Sequence, residues 1–343
     1  MNTHRTMKAF VLQGGFGFNH IEEVNLPIPT PAEGEVLLKI KAVSLNARDL
    51  GVINGIYNPN LSTPLIPISD GVGEIVAVGK NTTKFQLGQR VCGIFTQSWK
   101  TGLPTQENRV STLGSPLDGM LAEYVVLPQD GLVSVPEHLT DVEAATLPCA
   151  AVTAWHAIVE EGQIKENDTV VVQGTGGVSL FALQFAKLYG AKVIVTSSSD
   201  DKLARAKALG ADFGINYKQT PHWDHAVLEY TQGIGADHIV DLGGGTTLNR
   251  SISALKVGGQ ISIVGVLSGA SVQDFAIVPA IQKIARLQAI NVGSRAMFER
   301  MNVAIEQHRL KPVVDSVFPF ANTKYALKYL AEGSYFGKIS IEL

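Results

Sequence analysis

A glycine-rich turn between an apolar strand segment and a helix has the spacing of a dinucleotide-binding loop. The pattern Gly174-x-Gly176-x-x-Ser179 directly follows the valine-rich segment 168–173 and opens an apolar-striped helix. In this arrangement small residues let the backbone approach a pyrophosphate, whose charge the free N–H groups of the helix N-terminus favour. The pattern therefore predicts a nucleotide site, the alternative being a glycine-rich turn that binds nothing.

The acidic residue that usually binds the ribose 2′-hydroxyl is missing at the end of the next strand segment. It is expected about 20 residues after the glycine turn, but Thr196 occupies the place and the hydroxyl-rich segment 197–202 follows. Hydroxyl groups together with Lys202 suit a 2′-phosphate, so we predict that NADP(H) is preferred, with NAD(H) as the alternative. The same segment is also a good N-cap for the following helix, and both roles can hold together.

Three further strand segments end at Tyr217, at Gly243 and at 265–267. The carboxyl ends of parallel strands form the ligand-binding edge of an open sheet. We therefore expect Tyr217 to stack near an adenine and the glycines to let the backbone approach the nicotinamide part of a cofactor. Each of these positions can equally be an ordinary turn.

The predicted secondary structure changes near Leu147 from mainly strands to alternating strands and helices. Before it, short apolar segments separated by turns predict a β-rich, barrel-like domain. The predicted strands there are 7–13, 35–45, 72–79, 90–95 and 120–128. After it, apolar strand segments alternate with helices, which predicts βαβ units and a parallel sheet. The final segment 337–343 alternates with period two and resembles the first domain, so we expect it to return there.

Length and composition narrow the classes of protein. The 343 residues fit two domains, and a net charge of −3 gives no reason to expect nucleic acid or an acidic membrane as a partner. Two cysteines, Cys92 and Cys149, cannot form a disulfide framework or a four-cysteine zinc site. No apolar stretch reaches the length of about 20 residues of a membrane span, and the first ten residues lack the apolar core of a signal peptide. We expect a soluble protein of the cytoplasm.

Taken in order, the motifs resemble those of the medium-chain dehydrogenase/reductase superfamily. They are AVSLNARDL, DGVGEIVAVG, LGQRV, LPCAAVTAW, VVVQGTGGVS and AKALGAD, and they extend over essentially the whole chain. The sequence looks closest to the zinc-free, quinone-oxidoreductase-like branch and to alcohol-dehydrogenase-like proteins near it. The resemblance implies an α/β plus β fold class. A GroES-like β-rich catalytic domain would comprise residues 1–149 and 294–343, and a Rossmann domain with a doubly wound parallel sheet would comprise residues 150–293.

The resemblance also implies an active site in the cleft between the two domains and a homodimer or homotetramer as the usual unit. It assigns cofactor contacts beyond the glycine turn itself. The implied contacts are Thr153, Gly174, Thr175, Gly176, Gly177, Val178, Ser197, Ser198, Ser199, Lys202, Tyr217, Gly243, Val266, Leu267, Phe336, Gly337 and Lys338.

Three positions at which metal-dependent relatives hold a catalytic zinc carry other residues here. They are Asn46, Ser69 and Cys149, of which only the cysteine is a competent ligand. The stretch 96–119 lies roughly where such relatives keep a structural zinc lobe, and it contains no cysteine. We therefore expect an enzyme without zinc.

Without a metal, hydrogen-bond donors must stabilise the charge that develops on a substrate oxygen. By resemblance Arg48 faces the substrate, and its guanidinium could hold that oxygen; an ion pair with Asp49 or Asp70 is the alternative. Asn46 can donate through its amide or can simply stabilise a turn. Quinone-reductase relatives carry a tyrosine two residues after the aspartate of the NARD motif, where this chain has a glycine. We name Tyr57 as its substitute, against the alternative of a surface-loop tyrosine.

We interpret the chain as a zinc-independent, NAD(P)H-dependent oxidoreductase that transfers hydride to a small quinone, enone or aldehyde. The residues do not fix the direction of the reaction, so a zinc-free alcohol dehydrogenase working oxidatively is the first alternative. An alternative of another class is a non-catalytic NADPH-binding sensor or crystallin-like protein. The expected partner is a small-molecule substrate, without nucleic acid or membrane.

Overall fold

The computed structural model describes residues 5–343. Contacts divide the chain into two compact units. Unit 1 holds the described residues up to Val152 together with Gly293–Leu343, and unit 2 is Thr153–Val292.

Strands and helices are distributed over both units. The strands are β1 (Thr6–Leu12), β2 (Ile21–Pro27), β3 (Glu35–Leu45), β4 (Asp70–Val78), β5 (Arg90–Gly93), β6 (Tyr124–Pro128), β7 (Leu132–Ser134), β8 (Thr169–Gln173), β9 (Lys192–Ser197), β10 (Phe213–Asn216), β11 (Ala236–Asp241), β12 (Leu255–Ile263), β13 (Arg286–Ala289), β14 (Val314–Pro319) and β15 (Lys338–Glu342). The helices are α1 (Ala47–Ile53), α2 (Asp141–Ala144), α3 (Val152–Trp155), α4 (Gly177–Leu188), α5 (Asp200–Ala208), α6 (Trp223–Tyr230), α7 (Leu248–Ala254), α8 (Ile277–Gln282), α9 (Arg295–His308) and α10 (Thr323–Glu332).

In unit 1 the main sheet has the order β14-β15-β3-β4-β5-β7, and β6 also pairs with β3. β15 runs antiparallel to β3, with Ile339 opposite Leu45 and Glu342 opposite Ala42. The expected return of the final segment to the first domain is therefore confirmed. Apolar side chains of these strands form one buried core. Helix α10 contributes Leu327 to the same core.

Several elements of unit 1 were not predicted from the sequence, among them strands β2, β7 and β14 and helix α1. Helix α1 was not expected, because seven residues are too few to show a helical repeat of apolar side chains. Its start is fixed by Asp49, whose carboxylate accepts a hydrogen bond of 2.7 Å from the backbone N–H of Asn46.

In unit 2 six parallel strands form one sheet in the order β10-β9-β8-β11-β12-β13. The central strand β8 buries Val170, Val171 and Val172 completely, which explains its continuous apolar run. The order of the strands reverses between β8 and β11, and ligands of open α/β sheets bind at such a switch point. Within residues 5–343, no helix is both long and apolar enough to cross a membrane.

Candidate functional site

The loop between β8 and α4 has the geometry expected of the glycine turn. Gly174 has φ +78°, a conformation that favours glycine, and its N–H donates to the carbonyl of Thr196 at 2.8 Å. Ser179, in the third position of the pattern, donates from Oγ to the carbonyl of Gln173 at 2.7 Å. The serine therefore closes the turn by a hydrogen bond in addition to being small.

Gly176 provides the test of whether a dinucleotide fits this loop. Its φ of −81° is available to any residue, and a Cβ there would meet no atom of the described chain within 4 Å. Neither conformation nor internal packing requires glycine, so the open space in front of α4 is suited to a ligand. Gly177 and Val178 form the first turn of α4, whose free N–H groups favour an anion, and Thr175 is buried beside it. These residues fit a bound pyrophosphate.

A pocket of about 490 Å³ lies beside this loop within unit 2. Four of the cofactor contacts implied by the resemblance line it, namely Gly174, Tyr217, Gly243 and Leu267. The Tyr217 side chain is partly exposed, so its ring is accessible to an adenine. Thr196 also lines the pocket, which places a hydroxyl where many dinucleotide sites hold a carboxylate.

A buried polar network that the sequence analysis missed shapes the floor of this pocket. The carboxylate of Asp241, at the end of β11, accepts from Gly244 N at 2.9 Å, from Thr247 Oγ1 at 2.7 Å and from Ser251 Oγ at 2.6 Å. Gln173, at the end of β8, donates to the same carboxylate at 3.1 Å. The signal that could have found both residues is their position at the carboxyl ends of neighbouring parallel strands.

The segment after β9 shows the N-cap that was considered as its alternative role. Ser199 Oγ accepts from the N–H of Lys202 at 3.4 Å and caps α5, and Ser197 is buried. Ser198 is half-buried between them. Among the described residues that line the pocket, Lys202 is absent and Arg250 is present. The cation at the pocket wall is therefore one that the sequence pattern did not indicate.

Arg250 is held by the only group of three potential metal ligands found within residues 5–343, His222, Asp224 and His225. Its Nη1 donates to Asp224 Oδ1 at 3.0 Å and contacts His222 Nδ1 at 2.9 Å. A guanidinium bound to two members of the group competes with a cation for the same atoms. We therefore interpret the group as a support for the Arg250 side chain.

The remaining implied cofactor contacts differ in exposure. In unit 2, Thr153 is buried, whereas Val266 and Leu267 are exposed. In unit 1, Phe336 is buried, and Gly337 has φ +95° with a backbone carbonyl oxygen 2.4 Å from the place of its missing Cβ. Glycine at 337 is thus required by the backbone itself. Their role in cofactor binding stays a prediction.

In unit 1 the Arg48 guanidinium is fixed by several partners. It donates to the carbonyls of Leu113 at 3.2 Å and Ser115 at 3.5 Å, and lies 4.7 Å from the ring centroid of Phe95. Its Nη1 is 3.6 Å from Asp49 Oδ1, so the ion pair weighed as the alternative role is present in part. The Arg48 side chain is only 11% exposed.

The Tyr57 ring packs against Gly51, the position at which quinone-reductase relatives carry a tyrosine. A Cβ on Gly51 would be 2.4 Å from Cδ2 of Tyr57, so the tyrosine ring fills the space that a residue at 51 would otherwise use. The ring centroid is 5.9 Å from the Arg48 guanidinium carbon. Tyr57 is 64% exposed, which leaves its hydroxyl accessible. Arg48 and Tyr57 thus lie close to each other, and Asn46, the third predicted catalytic residue, is the N-cap of α1 two positions before Arg48.

A cluster of buried charged groups lies next to Asn46. Lys338 Nζ donates to Asn46 Oδ1 at 2.6 Å and to the carbonyl of Leu45 at 2.5 Å. Burial raises the pKa of Asp49 to about 6 and also raises the pKa of Asp70, while it lowers the pKa of Lys338. The Lys338 ammonium favours the ionised form of both carboxylates, and the carboxylates favour the charged form of the lysine. These attractions offset part of the cost of burying the charges.

The side chains at the three positions where relatives hold zinc suit that metal poorly. Asn46 Oδ1 is taken by the Lys338 ammonium, and Ser69 Oγ donates to Asp70 Oδ1 at 2.7 Å. Burial raises the pKa of the Cys149 thiol, which disfavours the thiolate that a metal or a nucleophilic role needs. An ammonium, an amide, a hydroxyl and a neutral thiol are poor surroundings for this cation.

Comparison with known proteins gives consistent matches for both units. Residues 32–137 match the family described as alcohol dehydrogenase GroES-like domain, and residues 177–307 match the family described as zinc-binding dehydrogenase. A zinc-type alcohol dehydrogenase-like protein of Schizosaccharomyces pombe is 43% identical over 95% of this chain and 96% of its own. A chloroplast envelope quinone oxidoreductase homolog of Arabidopsis thaliana is 29% identical over 96% of this chain and 95% of its own.

A solved structure agrees with these matches. It is that of a candidate alcohol dehydrogenase from Sinorhizobium meliloti, with a TM-score of 0.93, 42% identity and 99% of each chain covered. The α/β plus β fold class, with a GroES-like and a Rossmann-like part, is confirmed. The chain belongs to the medium-chain dehydrogenase/reductase superfamily and is an NAD(P)-dependent oxidoreductase of the alcohol dehydrogenase and quinone oxidoreductase kind.

Proposed function

We propose that this chain is a zinc-independent reductase that uses NAD(P)H to reduce a small quinone, enone or aldehyde. The observation that carries the proposal is the set of hydrogen-bond donors around the start of α1, at the place where relatives use a metal ion. When bound, the cofactor supplies a hydride, and a proton from water completes the two-electron reduction of the substrate. The glycine loop and pocket of unit 2 support binding of that cofactor.

The residues of unit 1 would stabilise the negative charge that develops on the substrate oxygen. Arg48 is permanently charged and held in one position by carbonyl groups, so it needs no reorganisation when the charge appears. Asn46 holds a buried NH₂ group that has no hydrogen-bond partner within the described residues, and Tyr57 is an exposed residue with a hydroxyl donor. All three groups are hydrogen-bond donors, and none of them is an anion. They therefore suit a carbonyl or quinone oxygen on which negative charge develops.

A substrate panel tests the reaction. The purified protein is given NADPH with quinones, enones and aldehydes, and given NADP⁺ with alcohols, while absorbance of the reduced cofactor is followed. Turnover of quinones, enones or aldehydes supports the proposal. Turnover of alcohols alone favours the zinc-free alcohol dehydrogenase, and tight cofactor binding without turnover on any compound favours a sensor.

We also propose that NADPH is preferred over NADH. The support is Thr196 in place of an acid, the serines of 197–199, Lys202 in the first turn of α5, and Arg250 at the pocket wall. The ratio of kcat/KM for the two cofactors is the measurement, and a clear advantage for NADH contradicts the proposal. Lys202→Ala and Arg250→Gln then identify which cation contacts the phosphate, because the affected variant loses affinity for NADPH more than for NADH.

Independence from zinc has its own test, and it matters because the Schizosaccharomyces pombe relative is named zinc-type. The support is the donor set at Asn46, Ser69 and Cys149, which does not suit the metal. Elemental analysis should find well under one zinc per chain, and activity should survive prolonged treatment with EDTA or phenanthroline. Stoichiometric zinc, with activity lost on chelation and restored by the metal, would overturn the proposal.

We propose a homodimer, or a homotetramer built from it, in which a second copy covers the free edge of the parallel sheet. β13 is the last strand of the sheet, and its neighbouring helix α8 and the following turn expose Ile277, Ile281 and Ile284. An open strand edge beside exposed apolar side chains favours pairing with an identical edge. Light scattering should show a dimer or larger that Ile281→Asp with Ile284→Asp dissociates, whereas Leu103→Asp in unit 1 leaves it intact.

A cytoplasmic location is proposed from the state of the thiols. Cys92 and Cys149 are not joined in a disulfide, and burial raises the pKa of each thiol, which disfavours the reactive thiolate. Fusion to a fluorescent protein and imaging of living cells is the test, and concentration in an organelle contradicts the proposal.

A further inference from the structure

Lys338 is a lysine in the interior of unit 1, with only 3% of its surface exposed. Lysine is rarely buried unless its ammonium is paired. The pairing of β15 with β3 brings this residue to Asn46, 292 positions away in the sequence. The ammonium therefore reaches the point where β3 ends and α1 begins.

This contact determines which way the Asn46 amide faces. An ammonium group has three donors and no acceptor, so the amide atom 2.6 Å from Lys338 Nζ must be the oxygen. The NH₂ group consequently points away from the lysine. Within the described chain, Asn46 Nδ2 is buried and has no hydrogen-bond partner.

The carboxylate of Asp70 does not satisfy both hydrogens of this NH₂ group. The Asn46 amide interacts with Asp70 as a side-chain donor and favours the ionised form of that carboxylate, although the contact falls outside ordinary hydrogen-bond geometry. Asp70 accepts instead from Ser69 Oγ at 2.7 Å and from the N–H of Cys149 at 3.1 Å. An NH₂ group also has two hydrogens, so one is left for another acceptor whatever the attraction of Asp70.

A buried donor without a partner is unfavourable, and native structures rarely keep one unless a ligand or water completes the bond. Asn46 is 91% buried, so its amide can be held in one orientation. A donor fixed in this way needs no reorganisation when negative charge develops on an acceptor oxygen. The carbonyl or quinone oxygen of the proposed substrates is such an acceptor.

We propose that Lys338 is a positioning residue for the reduction: its ammonium locks the Asn46 side chain so that the NH₂ group donates to the substrate oxygen. The inference rests on the proposed function, in which Asn46 is one of the donors. Lys338 itself does not touch the substrate. Its ammonium also lies close enough to Asp70 and Asp49 to favour the ionised form of both carboxylates.

A double-mutant cycle tests whether Lys338 acts through Asn46. Lys338→Met, Asn46→Ala and the double variant are compared for kcat, substrate KM and cofactor Kd. Loss of one fixed donor lowers kcat about 10²–10³-fold, so each single variant should show a loss in that range at saturating cofactor. Because the resemblance also assigns Lys338 to the cofactor contacts, a defect of Lys338→Met that is confined to a raised cofactor Kd overturns the inference. The double variant should be no worse than Asn46→Ala alone to within about threefold, because the lysine has nothing left to orient.

Ser340→Ala is the matched control on the same strand. Ser340 Oγ donates to the carbonyl of Val142 at 3.0 Å, so this variant also removes a buried hydrogen bond of β15 but should keep kcat. Losses that multiply in the double variant, or an unchanged kcat in Lys338→Met, overturn the inference. Absence of turnover by the unmodified protein instead refutes the proposed function.

Removal of a buried cation can prevent folding, because it leaves carboxylates without compensation. The variant Lys338→Met with Asp70→Asn removes one charge of each sign and should restore the melting temperature. If Lys338 positions Asn46, this folded protein still shows the low kcat. Recovery of kcat together with stability would mean that the lysine only balances charge, and would overturn the inference.

Discussion

The buried carboxyl of Asp49 should make the stability of the protein fall between about pH 4 and pH 6. Burial raises its pKa from the ordinary 3.8 to about 6 in the folded state. Between these values the folded chain holds a proton that the unfolded chain has lost, so rising pH favours unfolding. A difference of about two pKa units lowers the free energy of unfolding by about 3 kcal/mol, and the full loss is reached above pH 6. Asp49→Asn cannot ionise and keeps an oxygen that can accept from Asn46 N–H.

The measurement is the free energy of unfolding by urea for both proteins at several pH values from 4 to 7.5. The stability of the variant relative to the unmodified protein should rise by about 3 kcal/mol across this range, since effects of all other groups cancel in the difference. Asp130→Asn is the control of opposite sign, because Lys100 and Lys84 lower the pKa of Asp130 to about 2. The stability that this exposed group contributes is present above pH 3.8 and is lost only as pH falls towards 2, so its difference should be flat. A flat difference for Asp49→Asn as well would refute the reasoning.

Three further substitutions have defined outcomes. Gly176→Val should abolish cofactor binding, measured by calorimetry, at an unchanged melting temperature, because a Cβ there meets only open space; near-normal affinity would contradict a pyrophosphate site. Arg48→Met should lower kcat about 10²–10³-fold without changing cofactor Kd, whereas a collapsed melting temperature would show that its contacts are chiefly structural. Asp241→Leu should destabilise the protein by roughly 3 kcal/mol or more in urea, because several buried donors lose their acceptor at once, and a loss below about 1 kcal/mol would argue against that network.

The sequence predicted best what depends on local pattern. The order of strands and helices in unit 2 follows from apolar runs and glycine stops, and the glycine turn lies where the pattern indicated, with Gly174 in a left-handed conformation. The return of the last strand was also visible, because its period-two alternation matches a sheet with one buried face. Short α1 was missed, since two helical turns do not establish a repeat.

What the sequence did not predict depends on contacts between distant positions. The orientation of the Asn46 amide is set by Lys338, and the wall of the nucleotide pocket by Arg250 held at Asp224. No local spacing relates such pairs, and resemblance assigned Lys338 only to a cofactor segment. Tyr57 was named as a substitute for the tyrosine that relatives carry at position 51, but the packing of its ring into the space beside Gly51 is a property of the folded loop.

The discontinuity of unit 1 sets the order in which the molecule can be completed on the ribosome. One edge of β3 is shared: Glu35–Lys39 pairs with β6, whereas Ala42–Leu45 waits for β15, which is synthesised only after the whole of unit 2. Until then the nascent chain carries an open strand edge and the two buried aspartates without Lys338. The nucleotide-binding unit can therefore fold while the other is still unfinished. Arrival of β15 covers the open edge of β3 and brings Lys338 to the two aspartates in one event.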